Sequence, residues 1–210
     1  CPKRQTQRSI EQDTRQRLML DYDLIKENCS RAAVAIDSLW PTANTNLWLV
    51  KDLFSESILD KLEHYIQQTT ESDWSKVAGQ EHLPRHKITW QMDSVVEELH
   101  DVCNSLTLQL CQRFDRSLRF NGLQIWRDTE GYYFGEHTDD PKIDTSLQIY
   151  VFDAPSACGT TFFVGTGELT LGFFHNTGYL CTSHNLPHKT TTKVPPGAVR
   201  YSLYAHWCVD

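Results

Sequence analysis

Three short pieces of this chain carry residue types at spacings that can do chemistry. His137 and Asp139 stand two apart in the run Gly131-Tyr-Tyr-Phe-Gly-Glu-His-Thr-Asp139. In a strand, alternate side chains point to one face, so this imidazole and carboxylate can meet one ion. A second imidazole would complete a two-histidine, one-carboxylate set, which leaves coordination positions open on a metal. His184 and His188 are the candidates for that place. Arg200 and Ser202 are again two apart and share one strand face. A guanidinium fork beside a hydroxyl is suited to receive a carboxylate. A metal set backed by such a clamp suits a chelating keto-diacid. His-x-Asp alone is a weak pattern, and the weight lies in the order of the three pieces. His64, His82, His86 and His100 read as ordinary polar or surface residues, and His175 and His206 as pocket or surface residues.

These residues need a rigid frame, and from Phe120 onward the chain supplies short β runs separated by turns. Strands are expected at 123–126, 131–139, 146–152, 160–164, 168–174, 178–182 and 199–207, punctuated by glycines from Gly131 to Gly197. About seven strands with no helix between them predict a sandwich or a jelly-roll. Earlier segments read as support. Asn46 to Val50 and His86 to Trp90 suggest strands. Ser55 suits the cap of a helix carrying Ile58, Leu59, Leu62, Tyr65 and Ile66. Ser94-Val-Val-Glu97 has the form of a capping box. It leads into an apolar stripe of Val95, Leu99, Val102, Leu106, Leu110 and Phe114, predicting a helix from Met92 to Arg116 that backs a sheet. Residues 74–84 read as loop, 22–39 as a broken helix, and 1–20 as a polar arm. The expected organisation is an N-terminal, partly helical extension over 1–45 and one β domain with supporting helices over 46–210.

Bulk properties narrow the class. The 210 residues are 40% hydrophobic and 22% charged, as in an ordinary globular chain. A net charge of −7 without a basic run argues against gripping nucleic acid through its phosphates. No apolar run reaches membrane-spanning length, and no apolar core follows the basic residues near the N-terminus, so neither an anchor nor a leader is expected. The chain opens on Cys1, and a longer parent chain is therefore expected. The seven cysteines are odd in number and form no Cys-x-x-Cys, which predicts reduced thiols in a cytoplasmic protein.

Together, His137-x-Asp139, His188 and Arg200-x-Ser202 resemble the Fe(II)/2-oxoglutarate-dependent dioxygenases, specifically the prolyl-4-hydroxylase-like branch. Three further passages resemble that branch: the run from Gly131 into Asp139; Leu147-Gln-Ile-Tyr-Val151 with Gly159-Thr160 after it; and Val50-Lys-Asp-Leu-Phe-Ser55 ahead of a helix. The resemblance spans residues 47–207 and is sharpest from 123 onward. It implies a mainly β fold with flanking α-helices, a double-stranded β-helix (jelly-roll). It implies Fe(II) held by His137, Asp139 and His188, with 2-oxoglutarate as co-substrate, O2 as oxidant and ascorbate in support. Arg200 would pair with the distal carboxylate of 2-oxoglutarate and Ser202 would assist. Tyr150 sits where a family tyrosine reaches that carboxylate, and it reads equally well as a core aromatic. The family places its second histidine ahead of a turn leading to the arginine strand. Pro195-Pro196-Gly197 is such a turn, which favours His188 over His184.

The activity implied is hydroxylation of a C–H bond, with 2-oxoglutarate converted to succinate and CO2. Asp139 favours this over halogenation, because the related halogenases lack the carboxylate. The substrate implied is a prolyl residue of a peptide or protein, with a free amino acid or another small metabolite as the alternative. Substrate-side residues are expected within 74–87 and 126–136, among them Trp126, Arg127, Tyr132 and Tyr133, with Trp90 close by. Two other classes stay open. One is a non-catalytic jelly-roll binding protein, since the fold serves both. The other is a cupin-type Zn or Mn enzyme, which would have no use for Arg200 and Ser202 as a carboxylate clamp.

Overall fold

A computed structural model describes residues 39–88 and 94–209. The arm and helix expected before residue 39, Trp90, the helix start at Met92, Cys1 and Cys29 lie outside the described residues. Two helices precede most of the strands: α1 (Glu56–Gln67) and α2 (Ser94–Phe114). The strands are β1 (Leu39–Pro41), β2 (Leu47–Lys51), β3 (Trp74–Lys76), β4 (Arg85–Ile88), β5 (Leu118–Asp128), β6 (Thr145–Tyr150), β7 (Thr160–Val164), β8 (Gly167–Leu171), β9 (Thr177–Cys181), β10 (His188–Thr190) and β11 (Arg200–Val209). They form an eight-stranded sheet in the order β1-β2-β9-β6-β11-β5-β4-β3 and a three-stranded sheet in the order β10-β7-β8. All the strand pairs are antiparallel. This is the jelly-roll with flanking helices that the residue pattern predicts.

The central strands of the large sheet are covered on both faces, and their side-chain alternation says by what. Leu123, Ile125, Leu147, Ile149, Leu203, Ala205 and Trp207 form one core with the helices. From α1 it takes Leu59, Leu62 and Ile66; from α2 it takes Val95, Leu99, Val102, Leu106 and Leu110. The α2 stripe therefore backs the sheet, as its spacing demands. The even-numbered residues of β6, of β11 and of β5 from Gln124 to Asp128 point the other way, toward the smaller sheet; a register shift at His206/Trp207 reverses the parity in the first part of β5, so Leu118 and Phe120 pack with the helical core. A second cluster of Leu47, Phe162, Tyr179, Cys181 and Leu186 closes that side. Every residue of β6 is consequently buried.

Helix α1 starts where expected: the Ser55 hydroxyl accepts from the Ile58 amide at 3.4 Å. The Ser94 side chain, half of the expected capping box, lies outside the described residues. Other boundaries moved for reasons of pairing. β5 runs eleven residues, far beyond 123–126, because β11 and β4 flank it. Trp74–Lys76, expected as loop, pairs with β4 as an edge strand. The expected strand at 131–139 does not form a ladder; apart from one isolated bridge at His137, it is extended loop. Its amides and carbonyls meet residues 184–194 at scattered points, including Gly131 N to Val194 O at 2.8 Å and Thr190 N to Phe134 O at 2.9 Å. Gly131, with φ +81°, starts the segment in a conformation that breaks a ladder. Cys103, Cys111, Cys158, Cys181 and Cys208 are free thiols. Among the described residues no helix is long and apolar enough to cross a membrane.

Trp207 ties the sheet to α2. It is fully buried, packs against Phe120 and donates from Nε1 to the Thr107 hydroxyl at 2.8 Å. Trp207→Ala should destabilise the fold by about 3–5 kcal/mol, the range for a large buried aromatic. Urea unfolding should show a lower midpoint at an unchanged m-value; an unchanged midpoint would contradict the packing described.

Candidate active site

His137, Asp139 and His188 converge, with one ligand atom from each lying within 4.8 Å of the others. The backbone does the converging. His137 N donates to His188 O and His188 N donates back to His137 O, both at 2.9 Å. This reciprocal pair joins the loop to β10 at the two candidate histidines themselves. Each ring is then oriented by its own chain. His137 Nδ1 lies 2.8 Å from Gly135 O, and His188 Nδ1 lies 3.0 Å from Leu186 O. A carbonyl only accepts, so both Nδ1 atoms carry the proton and both Nε2 atoms present lone pairs. Burial and the neighbouring His188 hold His137 below the ordinary imidazole pKa, which keeps the ring in the neutral, ligating form.

Asp139 is oriented from two sides. Its amide donates to His184 O at 3.1 Å, and Ser146 Oγ donates to Oδ2 at 3.2 Å. Its Oδ1 lies 3.9 Å from His188 Nε2. His184 thus contributes a carbonyl that holds the loop, while the ring facing Asp139 belongs to His188. Phe134 lies against the His137 ring at 3.9 Å, and Phe162 and Tyr179 flank His188 at 5.6 and 6.4 Å. Aromatic side chains thus flank the candidate ligand atoms on this side.

A cavity of about 270 Å³ starts at these three residues and runs between the sheets to Arg85 and Arg200. That is near the lower bound of roughly 300 Å³ for small-molecule sites, enough for a small diacid beside a metal but not for a whole peptide. Two buried guanidiniums line its inner end, with one buried carboxylate, Asp128, behind them. Arg85 donates to Asp128 through Nε at 2.6 Å and Nη2 at 2.9 Å. Arg200 Nη1 donates to Cys158 O at 2.6 Å, and its Nε stands 3.5 Å from Asp128 Oδ2. That Nε is buried and has no hydrogen-bond partner among the described residues. Two cations against one carboxylate leave one positive charge in excess among buried side chains, a setting that calls for an anion. Burial opposes the Arg85 charge, but Asp128 more than offsets it and holds the guanidinium pKa above its usual value.

The residues singled out in the sequence divide into groups. Arg200 reaches the cavity end. Ser202 is buried behind Gln148, whose Nε2 donates to the Ser202 hydroxyl at 3.0 Å. The Gln148 carbonyl accepts from the Tyr179 hydroxyl at 2.5 Å, and both Gln148 and Tyr179 face the cavity. Gly178 permits this: a Cβ there would stand 1.8 Å from Gln148 O, so only glycine lets β9 lie this close to β6. Tyr150 is fully buried, stacks on Phe173 at 4.1 Å and bonds the Thr160 hydroxyl at 2.8 Å; Thr160 is the one of the two that lines the cavity. Trp126 lines the cavity, stacked on Tyr204 at 4.4 Å. Arg127 faces the other way and pairs with Glu71 through both nitrogens at 2.7 Å. Tyr133 lies outside the cavity, whereas Tyr132 beside it is buried in the lining.

Among the lining or supporting residues that escaped the sequence reading are Arg85, Asp128, Gln148 and Tyr179. Gln148 and Asp128 had a usable signal, since each shares strand parity with a residue that was noticed, Tyr150 and Trp126. Arg85 and Tyr179 had none, because each sits on a strand whose neighbour is distant in sequence.

No family model matches the chain, and no curated protein matches it. Solved structures do match in fold. A Pseudomonas putida prolyl-4-hydroxylase aligns with a TM-score of 0.66 at 13% identity, covering 79% of this chain and 93% of that one. A prolyl hydroxylase from Trichoplax adhaerens, in complex with a hypoxia inducible factor peptide fragment, aligns at 0.65 and 11% identity, covering 89% and 92%. HygX from Streptomyces hygroscopicus, with nickel, 2-oxoglutarate and hygromycin B bound, aligns at 0.57 and 10% identity, covering 82% and 84%. At these identities the likeness carries the fold: this chain has the jelly-roll found in prolyl-4-hydroxylases and other 2-oxoglutarate–Fe(II) oxygenases.

Asp128 is the only carboxylate that either buried guanidinium meets among the described residues. Asp128→Ala should cost about 3–5 kcal/mol, as removal of one member of a buried ion pair does. The thermal midpoint should fall accordingly, and a midpoint within a degree of the parent would show that the two cations are solvated.

Proposed function

We propose that this chain is an Fe(II)- and 2-oxoglutarate-dependent dioxygenase that hydroxylates a C–H bond. One observation carries the reading: a single cavity has a two-histidine, one-carboxylate cluster at one end and an excess buried cation at the other. A metal-chelating dianion with a second carboxylate is the ligand chemistry that satisfies both ends. The donor set fits Fe(II), since neutral imidazoles and one carboxylate are the ligands of non-haem iron sites with open positions. Iron held there, with 2-oxoglutarate and O2, supplies oxidation of a substrate C–H bond to the alcohol, coupled to conversion of 2-oxoglutarate to succinate and CO2.

The chain's own part is positioning. His137 and His188 offer Nε2 with their tautomers set by Gly135 O and Leu186 O. Ser146 holds one oxygen of Asp139 and leaves the other toward His188. Arg200 receives the distal carboxylate, and Gln148, Tyr179 and Thr160 line the path to it. Ser202 steadies Gln148 from behind. Phe134, Phe162 and Tyr179 flank the candidate ligand atoms. Trp126, Tyr204 and Ile143 stand where a substrate group would approach the metal-ligand cluster. The cavity admits the co-substrate and a substrate side group, which suits a residue presented by a peptide or one corner of a larger small molecule. The peptide in the Trichoplax complex and the hygromycin B in the HygX complex represent these two classes. A prolyl residue in a peptide is the first substrate to test.

Purified protein supplied with Fe(II), ascorbate, O2 and 2-oxoglutarate should release succinate, more so with a substrate screened from both classes. His137→Ala should weaken Ni(II) or Fe(II) uptake by roughly 100-fold or more, beyond the effect typical of supporting residues alone. Arg200→Met should leave metal uptake intact and weaken 2-oxoglutarate binding by about 10–100-fold, the worth of a charged hydrogen bond. No succinate together with unchanged metal uptake by His137→Ala would sink the proposal. Metal uptake with 2-oxoglutarate binding indifferent to Arg200 would favour a metalloenzyme of the cupin type.

A further inference from the structure

The inner end of the cavity poses a problem of charge sharing. Arg85, Asp128 and Arg200 are 4%, 0% and 2% exposed, so bulk solvent screens them little from one another. β5 lies between β4 and β11, and Arg85 and Arg200 are both direct register partners of Asp128. Two guanidiniums therefore compete for one carboxylate from opposite sides. The contest is uneven. Arg85 engages both oxygens, at 2.6 and 2.9 Å, in the bidentate form that is strongest for this pair. Arg200 is left at 3.5 Å, with its Nε lacking a hydrogen-bond partner among the described residues. Arg85 is itself held by ring contacts, 4.1 Å from the Trp126 centroid and 4.3 Å from that of Tyr132.

We propose that Arg85 is a positioning residue that occupies Asp128 and so keeps the Arg200 guanidinium free for the carboxylate of the incoming co-substrate. This rests on the oxygenase reading above. With Arg85 present the trio carries one excess positive charge. Without it, Arg200 and Asp128 sum to zero, and in a buried site they would close on each other as a salt bridge that the ligand would have to break. Removing both Arg85 and Asp128 returns the end of the cavity to one excess positive charge, carried by Arg200 alone. A residue that touched the ligand directly would not be rescued in this way.

The experiment compares 2-oxoglutarate binding by calorimetry, without O2 and with Ni(II) in place of iron, in the parent, Arg85→Met and Arg85→Met/Asp128→Asn proteins. Arg85→Met should raise the Kd at least about tenfold, a loss in line with one charged hydrogen bond. The double variant should return it to within about threefold of the parent. In turnover, Arg85→Met should show the same rise in KM for 2-oxoglutarate, with kcat recovered at saturation. An unchanged Kd in Arg85→Met overturns the proposal. So does a double variant as weak as the single, because Arg85 would then bind the ligand itself. If Arg85→Met does not fold, Arg85→Gln replaces it: the neutral amide removes the charge while still able to donate to Asp128, and an affinity equal to the parent there overturns the proposal. A parent protein that binds no 2-oxoglutarate sinks the oxygenase reading as well, whereas a parent that binds it normally while Arg85→Met matches it sinks only the role of Arg85.

Discussion

The constraint on which this molecule depends is the alternation of side chains along β5, β6 and β11. Each of these strands must satisfy two environments at once. Odd positions such as Ile125, Ile149 and Leu203 are buried with α1 and α2, where apolar surface leaves water. Even positions such as Asp128, Gln148 and Arg200 face the space between the sheets, where polar groups must find partners. A slip of one residue would put charges under the helices and leucines in the cavity. The helical core therefore does more than stabilise: it sets the register that places Asp128, Gln148 and Arg200 in the proposed site.

Within the cavity, desolvation is the dominant force, and it works differently at the two ends. At His137 it favours the neutral ring, which is the state a metal needs. Around Arg85 and Arg200 it penalises charge, and the chain answers with a single carboxylate for two cations. A full complement of counter-charges would make the apo fold more comfortable but would leave nothing for a ligand to satisfy. Incomplete compensation in a buried site is what distinguishes a proposed anion clamp from a structural ion pair. The Arg116–Asp144 pair at 2.8 Å, more than a fifth exposed on both partners, shows the contrast: water reaches it and no ligand is required.

The loop from Gly131 to Asp139 shows why a site can be irregular in a regular fold. Its backbone groups are paired with residues 184–194, yet no ladder forms. Only at His137 and His188 do the two segments exchange both bonds. The irregularity frees the flanking residues to turn their side chains as required: Phe134 against a ring, Asp139 toward Ser146. A continuous strand would have fixed all of them by parity alone.

Much of this was legible in one dimension. Local patterns determined the helical stripe of α2, the cap at Ser55, the series of short strands after Phe120, and the three ligand-type residues with their arginine. Those signals are short-range: periodicity, turn chemistry and residues two apart. The preference for His188 came from the family resemblance and the Pro195-Pro196-Gly197 turn; in the fold His184 gives its carbonyl to the Asp139 amide, while the His188 ring stands 3.9 Å from the Asp139 carboxylate. Tertiary structure alone decided the rest. It sent Arg127 outward to Glu71 and turned the Tyr150 hydroxyl to Thr160. It also brought Arg85 to Asp128 across 43 residues and Tyr179 to Gln148 across 31. Pairings of that range are set by which strands become neighbours in a sheet, and no local spacing encodes them.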